Sequence, residues 1–176
     1  MLEKNFFELF GIPETFDIDS KDLKRRYQDL QRQFHPDKFA NASDQERRMS
    51  MQITAQINEA LQTLLNPVQR GRYLLKLSGV DINDDHDTTM DPAFLMEQIE
   101  LREKLENINK QADPQKEFMD FMGNVENCKQ KCRNQLSKLF LEKSDSANSR
   151  ARNVLRELQF FDKISSEIEE LEERLL

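Results

Sequence analysis

Apolar residues recur along this chain at three- and four-residue spacings, the period of helices that bury one face. Asn5 to Phe10 is a short apolar turn stopped by Gly11 and Pro13. Ser20 offers an N-cap, and the helix it opens runs to about Phe34. At about 100° per residue, Leu23, Tyr27, Leu30 and Phe34 form a narrow core stripe on it. Pro36 then ends that helix, because it has no N–H and pushes His35 out of helical geometry. Ser43, with Glu46 three residues on, has the spacing of a capping box. The helix that follows is expected to bury Met49, Ile53, Ile57, Ala60, Leu61 and Leu64. After Asn66, Pro67 opens a last short helix carrying Tyr73, Leu74 and Leu77.

Residues 78–91 lack this periodicity and are rich in turn formers, which predicts a linker. Three long helical patterns follow, over about 92–110, 115–142 and 147–174, broken at Asp113-Pro114 and at Ser144 to Ser146. Their short connections predict an antiparallel three-helix bundle. The expected organisation is all-α, with one domain over 1–77, a linker over 78–91 and a second domain over 92–176.

Composition agrees: 37% hydrophobic and 34% charged residues, with only 4 Gly and 5 Pro, leave little turn punctuation for sheets. The net charge of −7 is unevenly spread. Residues 1–78 carry 12 Lys and Arg against 11 Asp and Glu, whereas residues 79–176 carry 14 against 22. Two modules with different partners fit that contrast. The acidic total and the lack of a long basic tract argue against nucleic acid as a partner. No leader and no stretch of membrane-spanning length is present, so the expected setting is cytoplasmic, without a membrane partner.

The first domain has a second face worth reading. Lys21, Lys24, Arg25, Gln28 and Arg32 project at about 100° to 200° from Leu23, a basic ridge opposite the core stripe. Such a face suits an acidic partner and raises the encounter rate, although on a generic helix it is more often simply solvated. His35-Pro36-Asp37 follows directly.

With its apolar first helix, its basic second helix, His35-Pro36-Asp37 and then Lys38-Phe39, this region resembles a J-domain. Ile57-Asn58-Glu59-Ala60, Leu64, Pro67, Arg70 and Tyr73 resemble the third and fourth helices of that family. The resemblance implies docking on a DnaK-type chaperone and coupling of client binding to ATP hydrolysis, with no chemistry performed by the chain itself. It implies that Asp37 pairs with a chaperone arginine, that Pro36 fixes the bend and His35 orients it, and that Lys24, Arg25 and Arg32 steer the approach.

In the second domain Phe94, Leu101, Leu105 and Ile108 share a core face, yet Leu95, Met96 and Ile99 occupy another, bordered by Glu100 and Glu103. On pattern alone, a partner site and an interdomain seam are about equally good readings. Phe94 to Glu103, and Leu158 to Ile164, resemble helices of the HscB family, and with the J-domain the likeness spans nearly the whole chain. It implies an HscA-type chaperone as one partner and the iron–sulfur scaffold IscU as the other. The scaffold is then gripped by Leu95, Met96, Ile99 and Phe160, with Glu100 and Glu103 in support. Val154, Leu158, Phe161, Ile164, Ile168, Leu171 and Leu175 make a three–four seam, and Phe160, just off it, is expected to face outward beside the patch.

Cys128 and Cys132 sit in the series Phe118, Met122, Val125, Cys128, Cys132, Leu136 and Leu139, which reads as core with reduced, buried thiols. Only two histidines occur, His35 and His86, and neither stands at metal-ligand spacing from a cysteine or the other histidine. No metal, no cofactor and no enzymatic site are expected, and the chain reads as a monomer. The acidic run Glu167 to Glu173 reads as a solvated face. Two other readings stand beside the leading one: a J-protein with a different client, and a helical metal or redox protein built on the cysteines and histidines.

Overall fold

The computed structural model describes residues 3–80 and 92–175, with side chains described through residue 170. Every regular element among them is helical. The chain divides into two compact units, Met1–Leu74 and Leu75–Leu176.

In the first unit α1 (Phe6–Phe10) is closed at both ends by its own sequence. Asn5 and Glu8 form a capping box, and Gly11 adopts the left-handed conformation (φ 63°) that only glycine takes without strain. Phe7, Leu9 and Phe10 are buried. Helix α2 (Ser20–Phe34) begins on Asp19 rather than on the expected Ser20. The Asp19 carboxylate accepts the N–H groups of Lys21 (2.8 Å) and Asp22 (3.2 Å). A full negative charge answers the positive helix end better than a hydroxyl does. Leu23 is fully buried, while Tyr27, Leu30 and Phe34 are half-buried against the next helix.

Helix α3 (Asp44–Leu65) carries the expected Ser43–Glu46 capping box. Its stripe differs from expectation at one place: Met49 is 44% exposed, and Ser50, at 2%, is buried instead. The phase of the helix explains this. Measured from Ile57, Ser50 falls at about +20° and Met49 at about −80°, so the serine lies nearer the centre of the buried face. Helix α4 (Pro67–Leu77) is capped by Asn66, whose side chain accepts the Gln69 N–H at 3.0 Å. Tyr73 pins α1 to it: the Phe6 N–H donates to the Tyr73 hydroxyl at 3.0 Å and the two rings stack at 4.4 Å. Gly79, at φ 77°, turns the chain out of α4. The rest of the expected linker, residues 81–91 with His86, lies outside the described residues.

In the second unit α5 (Pro92–Asn107) ends in a 3-10 turn, Ile108–Lys110, and is followed by α6 (Pro114–Glu142) and α7 (Asp145–Leu175). Asp113 caps α6 with Pro114 in its first turn, and Ser144 starts α7 by accepting the Ala147 N–H at 3.1 Å. These helices form the expected antiparallel bundle, with α7 packed against both α5 and α6. The seam of α6 departs from the expected series, because Met122 is 39% exposed and Phe121 is buried at 7%. From Val125, Phe121 lies at about −40° and Met122 at about +60°, so the phenylalanine is closer to the buried arc. On α7, Leu155 is buried and Val154 only half so; the side chains of Leu171 and Leu175 lie outside the described set. Lys129, whose side chain is 13% exposed, ties α6 to α7 through Asp162 at 2.9 Å.

Candidate functional site: two interaction surfaces

The first surface begins where α2 stops. His35 leaves helical geometry (ψ 130°), as Pro36 requires, and Pro36–Phe39 makes one 3-10 turn before α3. The bend points outward: the Asp37 side chain is 91% exposed and that of His35 is 51% exposed. His35 Nδ1 accepts the Asp37 N–H at 3.3 Å, which requires Nδ1 bare and the ring proton on Nε2. The Asp37 carboxylate also approaches Nδ1, at 3.4 Å, a contact that becomes an ion pair only when the ring is doubly protonated. In the neutral ring, then, the imidazole shapes the backbone of the bend and leaves the aspartate free for a partner.

Lys21, Lys24, Arg25, Gln28 and Arg32 are all exposed on α2, and Lys38 is exposed on the bend. The ridge is less uniformly positive than its sequence predicts. Asp22 accepts from Arg25 and from Arg26, the latter at 2.7 Å, and these guanidinium bonds hold its carboxyl below the usual range. Asp29 lies 3.6 Å from Arg32. Among the described residues Lys21 and Lys24 have no ion-pair partner, so no neighbouring carboxylate offsets their charge. Arg26, outside the expected ridge, also donates to the Phe10 and Gly11 carbonyls at 3.1 and 3.2 Å and so locks α1 to α2.

The second surface lies on α5. Leu95 (47%), Met96 (58%) and Ile99 (45%) are exposed, with Glu100 and Glu103 exposed beside them, so these five sit together as expected. Phe160 does not join them at the surface. It is 8% exposed, its ring edge-on to Phe94 at 5.7 Å and to Phe161 at 5.5 Å, with the Arg102 guanidinium 5.9 Å above it. A residue off the α6-facing seam is buried because α7 has a second neighbour, and Phe160 faces α5. It packs beneath Phe94 on the core side of α5, and Arg102, which the sequence reading missed, covers its ring.

Cys132 is buried (3%), while Cys128 is half-buried, a partial departure from the expectation of two buried thiols. Burial first, then the nearby Glu157, pushes the Cys132 thiol up to about 12; burial and Glu97 push Cys128 upward as well. Both groups are therefore protonated at neutral pH, and the protonated thiol is a poor nucleophile. We expect iodoacetamide to modify native Cys132 far more slowly than the unfolded chain at pH 7.5, with Cys128 intermediate, as mass spectrometry can follow. Equal rates for native and unfolded protein would contradict this packing. The sign for stability follows. Cys132 favours folding fully below its ordinary value of 9.0, and that contribution is lost as the pH rises toward about 12.

Among the described residues no group of three His, Cys, Asp or Glu side chains is placed to hold a metal ion, and no helix is long and apolar enough to cross a membrane.

Comparison with known proteins divides the chain as the two surfaces do. The DnaJ domain family matches residues 5–73, and the HSCB C-terminal oligomerisation domain family matches residues 90–169. The second description names oligomerisation, whereas the residues alone pointed to a monomer. The co-chaperone protein HscB homolog of Aliivibrio fischeri strain MJ11 is 44% identical over 172 residues, covering 98% of this chain and 99% of the relative. That of Vibrio atlanticus strain LGP32 is 45% identical with the same coverage. Among solved structures, the chaperone HscB from Vibrio cholerae is similar with a TM-score of 0.91 and 41% identity, covering 98% of this chain and 100% of that one. The human co-chaperone protein HscB gives a TM-score of 0.86 and 31% identity, over 99% of this chain and 84% of its own. With its His35-Pro36-Asp37 bend in a J-domain and its α5 patch in an HscB C-terminal domain, the chain belongs to the HscB family of co-chaperones.

Proposed function

We propose that the chain recruits an IscU-type iron–sulfur scaffold through the α5 patch and presents it to an HscA-type, DnaK-like chaperone whose ATP hydrolysis its J-domain stimulates. One observation carries this reading. An outward His35-Pro36-Asp37 bend on a basic ridge and an outward apolar patch with an acidic rim lie in different compact units of one chain.

The chemistry of each surface supports its partner. Asp37 offers an exposed anion for a charge-assisted pair, and Lys21 and Lys24 accelerate approach to an acidic face. Leu95, Met96 and Ile99 supply the apolar centre of a small interface, while Glu100 and Glu103 select a client with basic residues at its edge. The chain transfers no group itself. It holds two proteins together, which raises the effective concentration of client at the chaperone, and it shifts the chaperone toward its hydrolysing state.

The test is steady-state ATP hydrolysis by an HscA-type chaperone, with the chain and the scaffold added singly and together. Stimulation by the chain alone, raised more than additively when scaffold is present, is the expected result. Additive rates would separate the two surfaces functionally and refute the delivery role.

A further inference from the structure

The bend presented to the chaperone begins at the last carbonyl of α2, and α3 holds that carbonyl from the side. A helix leaves its final carbonyls without intrahelical partners. Here the shortage is greater, because Pro36 has no N–H and the Lys38 N–H is taken by the His35 carbonyl at 3.0 Å. Two hydroxyls meet the Phe34 oxygen instead: Ser50 Oγ donates at 2.8 Å and Thr54 Oγ1 at 3.1 Å. Four residues apart, they lie on one face of α3, and a carbonyl oxygen has two lone pairs to receive both.

Packing alone does not call for these residues. Ser50 is 2% exposed at the centre of the stripe that also holds Ile53 and Ile57, where an apolar side chain would bury more surface. Serine and threonine inside a helix commonly bond back to their own i−4 carbonyl. Both reach across to another helix instead, to the carbonyl of the residue that precedes His35.

The geometry points to Ser50 and Thr54 as positioning residues for the His35-Pro36-Asp37 bend: a double hydroxyl clamp on the Phe34 carbonyl that fixes the angle at which the bend meets the chaperone. This rests on the J-domain role proposed for the bend. Without the clamp, the apolar contacts of Leu23, Ile53, Ile57 and Leu64 still assemble the helical hairpin. The junction then samples orientations that do not fit the partner, and apparent affinity falls with the fraction that does. Once docked, the bend acts as before.

The experiment titrates the full-length chain against an HscA-type chaperone and reads ATPase stimulation. Ser50→Ala/Thr54→Val should raise the concentration for half-maximal stimulation by roughly 5- to 30-fold, the loss of two ordinary hydrogen bonds, and reach the wild-type plateau. Thr54→Val alone should shift the midpoint less, in the same direction, and Thr54→Ser, which keeps the hydroxyl, should match wild type. Should the double variant fail to fold by circular dichroism, the Thr54→Val and Thr54→Ser pair decides. A lowered plateau at an unchanged midpoint, or equal behaviour of Thr54→Val and Thr54→Ser, overturns the clamp. His35→Gln runs alongside: its inactivity beside wild-type behaviour of the clamp variants refutes the clamp alone. Full stimulation by His35→Gln refutes the J-domain role beneath it.

Discussion

His35→Gln is expected to reduce stimulation of the chaperone's ATPase to the unstimulated rate while the chain stays folded. The imidazole is half-exposed and contributes little to the core, so its loss should leave the helices around the bend folded. What it removes is local. Nδ1 accepts the Asp37 N–H at 3.3 Å, and a flexible amide cannot hold that backbone turn in the same way. Asp37 is then presented at the wrong angle, and a charge-assisted pair depends on direction as well as distance. The ridge should behave differently. Lys21→Ala/Lys24→Ala slows encounter without altering the docked geometry, so added salt should mask the effect of that change but not that of His35→Gln.

The second large effect belongs to α5. Leu95→Ala/Met96→Ala/Ile99→Ala should weaken scaffold binding by about 100-fold, measured by calorimetric titration, because central apolar anchors carry most of a small interface. All three side chains are 45–58% exposed, so truncating them removes little from the core and melting should hardly change. Phe160→Ala is a poor probe of the same surface. At 8% exposure it supports Phe94 and Phe161, and removing a buried phenylalanine costs about 3–5 kcal/mol of stability. Scaffold affinity at wild-type strength in the α5 triple variant would remove the patch from the account.

Most of the architecture was readable in the sequence because helices here start and stop on local chemistry. Ser43 and Glu46, Asn66 and Pro67, and Asp113 and Pro114 each announce a boundary that the structure keeps. The bend was legible for a similar reason, since Pro36 has no N–H to continue α2 and keeps His35 out of helical geometry. The exposed patch was legible because Leu95, Met96 and Ile99 lie on a face that the core stripe of α5 does not use.

What was missed depends on neighbours rather than on local sequence. Reading one stripe per helix assumes one packing partner, and α7 has two, so Phe160 is buried where the α6-facing seam alone leaves it outside. Met49 and Met122 were assigned to the core by three–four spacing, while the phase of each helix favoured Ser50 and Phe121. Ser50 in particular answers a carbonyl sixteen positions away in sequence, a demand that exists only once α2 and α3 are side by side.

A crossed pair of assays on two variants decides whether the two surfaces act as separate sites. His35→Gln is titrated with scaffold, and the α5 triple variant is assayed for ATPase stimulation without scaffold. Wild-type affinity is expected in the first case and wild-type stimulation in the second, each variant having lost only the other activity. If either variant loses both activities while remaining folded, the two surfaces do not act as separate sites, and the proposed division of labour is wrong.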